Sequence, residues 1–471
     1  VAGLAPLVRM VAGLFLPGRG GRDDSSSSRD LRAQVGAGLL AAALFAAPMI
    51  LYSYAAHAAY GGGAAVWRGG WATAFAAALT AILALPGALT FVNRSSFSQM
   101  YAARLARAYL GATNPERRRP EAGDVTEVVA GDDVASLEEY RPHETGGPLH
   151  LINLTVNQTV DFSSLRGNRA RKGESLAVSP IGMSVGVGWH SAWGGDADPP
   201  GRPRGRVRVE TLGAQPGSGH PSLDVTGRPS GRVEMLPLRE WVALSGAAVG
   251  PARGQGTRLG TSLLFGLANL RTGRWWDSGL ALAARRGFPE VGLLRRVLYV
   301  GPRALMTQTL LLSEWLALYP GPWGRYWHVS DGGFFENLGA YELIRRRVPR
   351  MIVCDASADP AYTMDGLGEL IRKVRIDFDA RVEPVPPGQV TAWMNAGLVP
   401  AAVAARLGAL DDLKPSADGL SRRHATLFRV HYGRGGEPSY LLYLKAGVTG
   451  DEDPDVLEYK ALHGDFPHES T

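Results

Sequence analysis

Residues Trp327 to Pro360 read WHVSDGGFFENLGAYELIRRRVPRMIVCDASADP, and the rest of the chain is arranged around them. Tyr326 to Val329 is a short apolar run that suits a strand and breaks at Asp331-Gly332-Gly333, which leaves the Asp331 carboxylate at the strand's end. Gly332 and Gly333 allow the backbone to take positive φ or to approach a ligand closely. After Asn337 the spacing of Leu338, Tyr341 and Ile344 predicts a helix that runs to Pro349. Arg345, Arg346 and Arg347 in its last turn suit the negative end of the helix dipole. Met351 to Asp355 then forms a continuous apolar run of the kind buried on both faces of a parallel sheet. Strand, helix and strand imply a right-handed βαβ unit, in which ligands gather at the carboxyl ends of the strands, where Asp331 and Asp355 both stand.

The chain has 471 residues, of which 45% are hydrophobic and 20% charged, so it is ordered and long enough for more than one domain. A net charge of +6 raises the question of nucleic acid, but the basic residues are dispersed and no nucleic-acid-reading motif is present. Nearly all the positive charge is arginine. The single cysteine, Cys354, lies inside an apolar strand, which excludes an internal disulfide and a thiolate metal site. No phosphate-binding loop appears, no His/Cys/Glu spacing suggests a metal, and no cofactor is expected.

Two stretches, about 35–59 and 71–92, are almost free of charge and long enough to cross a hydrocarbon core, which takes about 20 residues. They are expected to be transmembrane helices. Arginines before the first and after the second (Arg94, Arg104, Arg107) place both ends on the cytoplasmic side. Residues 1–110 thus read as a membrane region and 111–148, rich in Pro, Gly, Arg and acids, as a linker. Residues 149–471 follow as the soluble part, facing the cytoplasm from the inner membrane. Within it, 149–155 reads as a strand, 238–244 as a strand or short helix, 259–270 and 305–318 as helices, and 371–378 as a strand. Residues 194–232 form a long polar insertion. Ala425 to Tyr432 and Ser439 to Lys445, joined by Gly433-Arg434-Gly435-Gly436, read as a hairpin.

On the residues alone, Asp331 reads equally as a general base or as an aspartate that caps a turn. Gly182-Met183-Ser184-Val185-Gly186 fits Gly-x-Ser-x-Gly, yet a nucleophile elbow needs a helix directly afterwards, and Val187-Gly188-Trp189-His190 is poor helix material. Ser184 stands as the alternative nucleophile. A triad through His190 or His328 is a further option, although the ten histidines are scattered without pattern.

Asp331-Gly332-Gly333 through Glu336-Asn337-Leu338-Gly339, together with Ile352-Val353-Cys354-Asp355, resembles the aspartate end of the patatin-like phospholipases, in their large bacterial membrane-bound branch. Leu244-Ser245-Gly246-Ala247-Ala248, the segment Asp451 to Thr471 and the two apolar stretches are similar to that branch as well. The resemblance implies an α/β fold: the C-terminal part of a patatin-like αβα sandwich, preceded by two transmembrane helices. It also implies a Ser/Asp dyad acting on membrane lipid esters, with Asp331 as base, Gly332 and Gly333 in its turn, and Ser245 and Gly246 lining the pocket. In that branch the oxyanion loop and the serine precede the membrane helices, which here places them before Val1. The expected activity is membrane-anchored serine lipid acyl hydrolysis, with this chain carrying half of the site. The alternatives are a membrane-tethered scaffold whose catalytic half is lost, or a hydrolase built on Ser184. Oligomeric state is not legible.

Overall fold

The computed structural model describes residues 89–463, except 95, 119–127, 135, 136, 138, 161–170, 188, 194–205, 213–231, 279–305, 358, 360 and 434. The chain divides into two compact units, 1–335 and 336–471.

The helices of the first unit are α1 (Leu89–Arg94), α2 (Ser98–Leu105, continued as a π-helical turn Ala106–Leu110), α3 (Leu238–Ser245), α4 (Leu259–Leu267) and α5 (Met306–Trp315). Its strands are β1 (Ile152–Asn157), β2 (Gly173–Ser179), β3 (Gly182–Val185), β4 (Trp189–Trp193), β5 (Arg206–Leu212), β6 (Arg232–Glu234), β7 (Arg274–Asp277) and β8 (Tyr326–Asp331). They form one sheet, a half-barrel in the order β6-β5-β4-β3-β2-β1-β8-β7, in which every pairing is antiparallel. The strands alternate because the sheet has two chemically different faces. Ile152, Leu154, Val156, Leu176, Val178, Met183, Val185, Trp327 and Val329 face a core closed by Leu238, Trp241 and Leu244 of α3. Trp276 stands between Trp241 and Trp327 in edge-to-face contacts, with ring centroids 5.1 and 5.6 Å away. The opposite face carries Thr155, Asn157, Ser175, Ser184, His328 and Ser330, all buried. Leu137, between the first helices and the sheet, is fully buried in the same core.

The second unit contains α6 (Tyr341–Arg345), α7 (Asp365–Phe378), α8 (Pro387–Asn395), α9 (Ala401–Ala404) and α10 (Pro454–Leu462), with β9 (Arg350–Asp355), β10 (Ala380–Pro384), β11 (Ala425–Tyr432) and β12 (Ser439–Lys445). Its sheet runs β10-β11-β12-β9, and only β12 and β9 are parallel. The hairpin read at 425–432 and 439–445 is present with those bounds.

This is a mixed helix and sheet fold, and it overturns the expected patatin-like αβα sandwich. β8 and β9 belong to different sheets, so Trp327 to Asp355 is not a βαβ unit. β8 pairs antiparallel with both of its neighbours, β1 and β7. β9 is an edge strand with alternating burial: Met351, Val353 and Asp355 point inward, while Ile352 is 66% exposed and Cys354 lies at the surface. Its unbroken hydropathy therefore does not report burial on two faces. Residues 371–378 belong to α7, whose Leu367, Leu370, Lys373 and Val374 are buried at helical spacing; the β-branched Ile371, Val374 and Ile376 mimic a strand only locally. Within the expected polar insertion, 206–212 is strand β5 and Arg232 opens β6, while the flanking 194–205 and 213–231 lie outside the described residues. Among the described residues no helix is long and apolar enough to cross a membrane. The expected span at 35–59 and the span at 71–92, apart from the end that forms α1, also lie outside them.

Candidate active site

Asp331 closes β8 and caps the 3-10 turn Gly332–Phe334, with one carboxylate oxygen accepting the Gly333 N–H at 2.7 Å. Its carbonyl accepts the Thr155 hydroxyl at 2.7 Å, which fixes the strand end without using the carboxylate. Gly332 is needed for space: a Cβ there would lie 2.5 Å from the Asn153 carbonyl oxygen. That same carbonyl accepts the Ser245 hydroxyl at 2.8 Å, at the C-terminal end of α3. At Gly246 a Cβ would lie 2.7 Å from the Tyr101 hydroxyl of α2. Burial, and next the negative charge of Asp331, push the Tyr101 hydroxyl above its ordinary range. Asp331, Gly332, Ser245, Gly246 and Tyr101 thus gather around the end of β1, with α3 packed on β8 and on α2. Asp331, Ser245 and Tyr101 are half-buried and Gly246 is exposed, so the group is open to solvent.

The structure separates Ser184 from Asp331. Asn153 pairs with Ala177, Ala177 with Ser184 and Ser184 with His190, which puts these four on one face of the sheet. Asp331 pairs with Leu154, whose side chain is on the other face. Ser184 lies within β3 and is buried, its Oγ 2.9 Å from His190 Nδ1; a turn and β4 follow it directly, where an elbow would have a helix. The Gly-x-Ser-x-Gly match is a strand, not an elbow. Ser184→Ala is therefore expected to leave any ester hydrolysis unchanged and to cost roughly 1 kcal/mol of stability through the lost hydrogen bond. Hydrolysis rates and urea midpoints for the variant check both halves.

His328, the other triad option, is part of a closed polar network. Its Nδ1 lies 3.3 Å from Asn157 Nδ2, which also donates to the Ser330 hydroxyl at 2.7 Å, and Asn157 Oδ1 accepts the Gly254 N–H at 3.0 Å. Glu314 receives Arg271 at 3.1 Å and the Trp275 indole N–H at 2.7 Å, and its Oε1 is 3.9 Å from His328 Nε2. The imidazole packs on Trp275 and Tyr319, with ring centroids 5.2 and 4.9 Å away. Burial first, then the charge of Arg271, push His328 down to about 3. An unfolded chain takes up that proton near pH 6.5, while the folded chain refuses it until about pH 3. More protons are bound in the unfolded state across this window, so stability falls as pH drops, by up to about 1.4 kcal/mol per unit. The Glu314 carboxyl, raised by burial, works in the opposite sense over its own titration and offsets part of the loss. Urea midpoints are expected to decline from pH 7 to pH 5, with a smaller decline in His328→Asn; equal declines would contradict this account.

Asp355, the other strand-end aspartate, is enclosed in the second unit. It accepts Ser357 N at 2.9 Å and Lys445 Nζ at 3.2 Å, and Lys445 also reaches Asp359 at 3.3 Å. Burial would raise its carboxyl, but hydrogen bonds from Ser357 and Tyr443 and the charge of Lys445 hold it below its ordinary range. Lys445 is itself buried, and the cluster reads as an internal ion pair. Tyr101 is the site residue that sequence reasoning missed: it lies on a helix whose pattern reports only amphipathicity, far in sequence from Asp331.

No protein-family model, no curated protein and no solved structure matches the chain.

Proposed function

We propose that this chain carries the aspartate half of a lipid acyl hydrolase, with Asp331 as the general base that takes the proton of an attacking serine hydroxyl. The observation that carries this reading is the state of Asp331: one carboxylate oxygen and the carbonyl are fixed by Gly333 and Thr155, and the residue is half-buried beside Ser245, Gly246 and Tyr101. A base needs that combination of fixed orientation and access to substrate. The motif Asp331-Gly332-Gly333 with Glu336-Asn337-Leu338-Gly339 supports the patatin-like chemistry, independently of the sandwich fold. Ser184 is on the face opposite Asp331, and the Ser245 hydroxyl donates its hydrogen bond to the Asn153 carbonyl, so neither is assigned as the serine partner of Asp331. The choice of a lipid ester as substrate rests on that same Asp331-Gly332-Gly333 motif.

The reading is tested by hydrolysis of phospholipid vesicles and of a p-nitrophenyl ester by the protein. Activity that depends on Asp331 and survives Ser184→Ala and Ser245→Ala is the expected pattern. Loss with Ser184→Ala and retention with Asp331→Asn would overturn it.

A further inference from the structure

In the second unit the β11–β12 hairpin brings three metal-binding side chains together. His424 immediately precedes β11, and Asp451 and Glu452 lie between β12 and α10. One ligating atom of each lies within 4.8 Å of the others. His424 Nε2 is 3.3 Å from Glu452 Oε1. The Thr449 hydroxyl is 3.2 Å from His424 Nε2 and 3.1 Å from Glu452 Oε1, and it donates to Asp451. A tetrahedral ion with bonds of about 2.0 Å holds its ligands roughly 3.3 Å apart, the separation of His424 Nε2 and Glu452 Oε1, with the Asp451 carboxylate within 4.8 Å of both.

The arrangement is preorganised. Glu452 accepts the N–H groups of Thr449 and Gly450, both at 2.8 Å, and Gly450 has the positive φ of 92° that the turn requires. A second observation points to a cation. Among the described residues, neither Asp451 nor Glu452 pairs with a lysine or arginine, and His424 is the one basic partner of Glu452. Two carboxylates and an imidazole nitrogen therefore converge without a fixed positive charge between them.

We propose that His424, Asp451 and Glu452 bind a divalent transition-metal ion, with the Thr449 hydroxyl or a water as a further ligand. The nitrogen donor favours Zn²⁺ over Mg²⁺ or Ca²⁺, which prefer all-oxygen shells. The bound ion would tie the start of β11 to the segment that enters α10. The expectation of no metal came from spacing along the chain, where the hairpin separates His424 from the two acids. This site is independent of the acyl hydrolase reading.

Tag-free protein titrated with Zn²⁺ alone, followed by calorimetry and thermal unfolding, provides the test. Saturable uptake is expected, with a rise in Tm of about 5–10 °C at a hundredfold excess over Kd. His424→Ala and Asp451→Asn should each weaken binding about tenfold or more while leaving the metal-free Tm close to that of the parent. Glu452 is kept, because it holds the turn. Mg²⁺ at the same concentration should leave Tm unchanged. Absence of saturable Zn²⁺ uptake, or both variants binding as tightly as the parent, overturns the proposal. Should His424→Ala fail to fold by circular dichroism, His424→Gln takes its place under the same criteria.

Discussion

Asp331→Asn is expected to lower ester hydrolysis by about 10²- to 10⁴-fold, the usual contribution of a positioned general base. The substitution separates the two duties this residue can have. An asparagine oxygen can still accept the Gly333 N–H that Asp331 accepts at 2.7 Å, and the Thr155 hydroxyl still finds the backbone carbonyl. Turn and strand end are therefore retained, and with them the surroundings of Ser245 and Tyr101. The amide cannot take a proton from a serine. A fall in kcat with KM little changed is the signature of a group used in the transition state, whereas a merely capping aspartate would show no fall. Asp331→Ala removes the cap as well, and its unfolding midpoint should drop by the equivalent of about 1 kcal/mol. Undiminished hydrolysis by Asp331→Asn would refute the assignment.

How much of this was legible in the sequence depends on the range over which the signal acts. The hairpin of β11 and β12 announces itself locally, by two alternating runs around Gly433, Gly435 and Gly436, and the structure keeps its bounds. The position of Asp331 at a strand end was visible for the same reason: Gly332 and Gly333 stop the strand within two residues. Sheet direction is a different matter. Met351 to Cys354 is apolar throughout, yet only alternate residues are buried, because the strand lies at an edge and, among the described residues, pairs with β12 alone. Continuous hydropathy is compatible with that, so the step from apolar run to parallel sheet misled. The antiparallel partners of β8 come from far along the chain, Ile152–Asn157 and Arg274–Asp277, and no local pattern names them. The same range limit explains the site. Tyr101 approaches Asp331 only through the packing of α2 and α3, and His424 reaches Asp451 and Glu452 only once the hairpin has formed. Ser184 is the converse case: its motif is complete in sequence, but strand pairing sets it on the face opposite Asp331, beside His190, so the two do not meet as a dyad.

The largest stability effect is expected where the polar face of the first sheet is closed. Arg271 and Glu314, 4% and 2% exposed, meet at 3.1 Å. Arg271 also donates to the Val92 carbonyl at 3.2 Å and to Asn269 at 3.0 Å, and so connects α1, α5 and the segment that enters β7. Arg271→Met keeps much of the side-chain volume and removes the charge. Glu314 is then buried with only the Trp275 indole and neighbouring dipoles to hold it, and a cost of about 3–5 kcal/mol is expected. For a unit of this size that corresponds to a fall in Tm of roughly 10 °C or more. Burial already raises the Glu314 carboxyl, and the loss of Arg271 raises it further. A folded-state value above the unfolded one makes the deficit largest at high pH, where the carboxylate is ionised, and smaller as pH falls and the group takes up a proton. Arg271→Met should thus be further below the parent at pH 8 than at pH 5. Adding Glu314→Gln removes the buried charge while leaving an acceptor for Trp275, and the double variant should recover most of the lost stability. Thermal unfolding of the two variants at both pH values decides the matter: a deficit that is independent of pH, or a double variant no better than Arg271→Met, would mean that the pair contributes packing and not charge compensation.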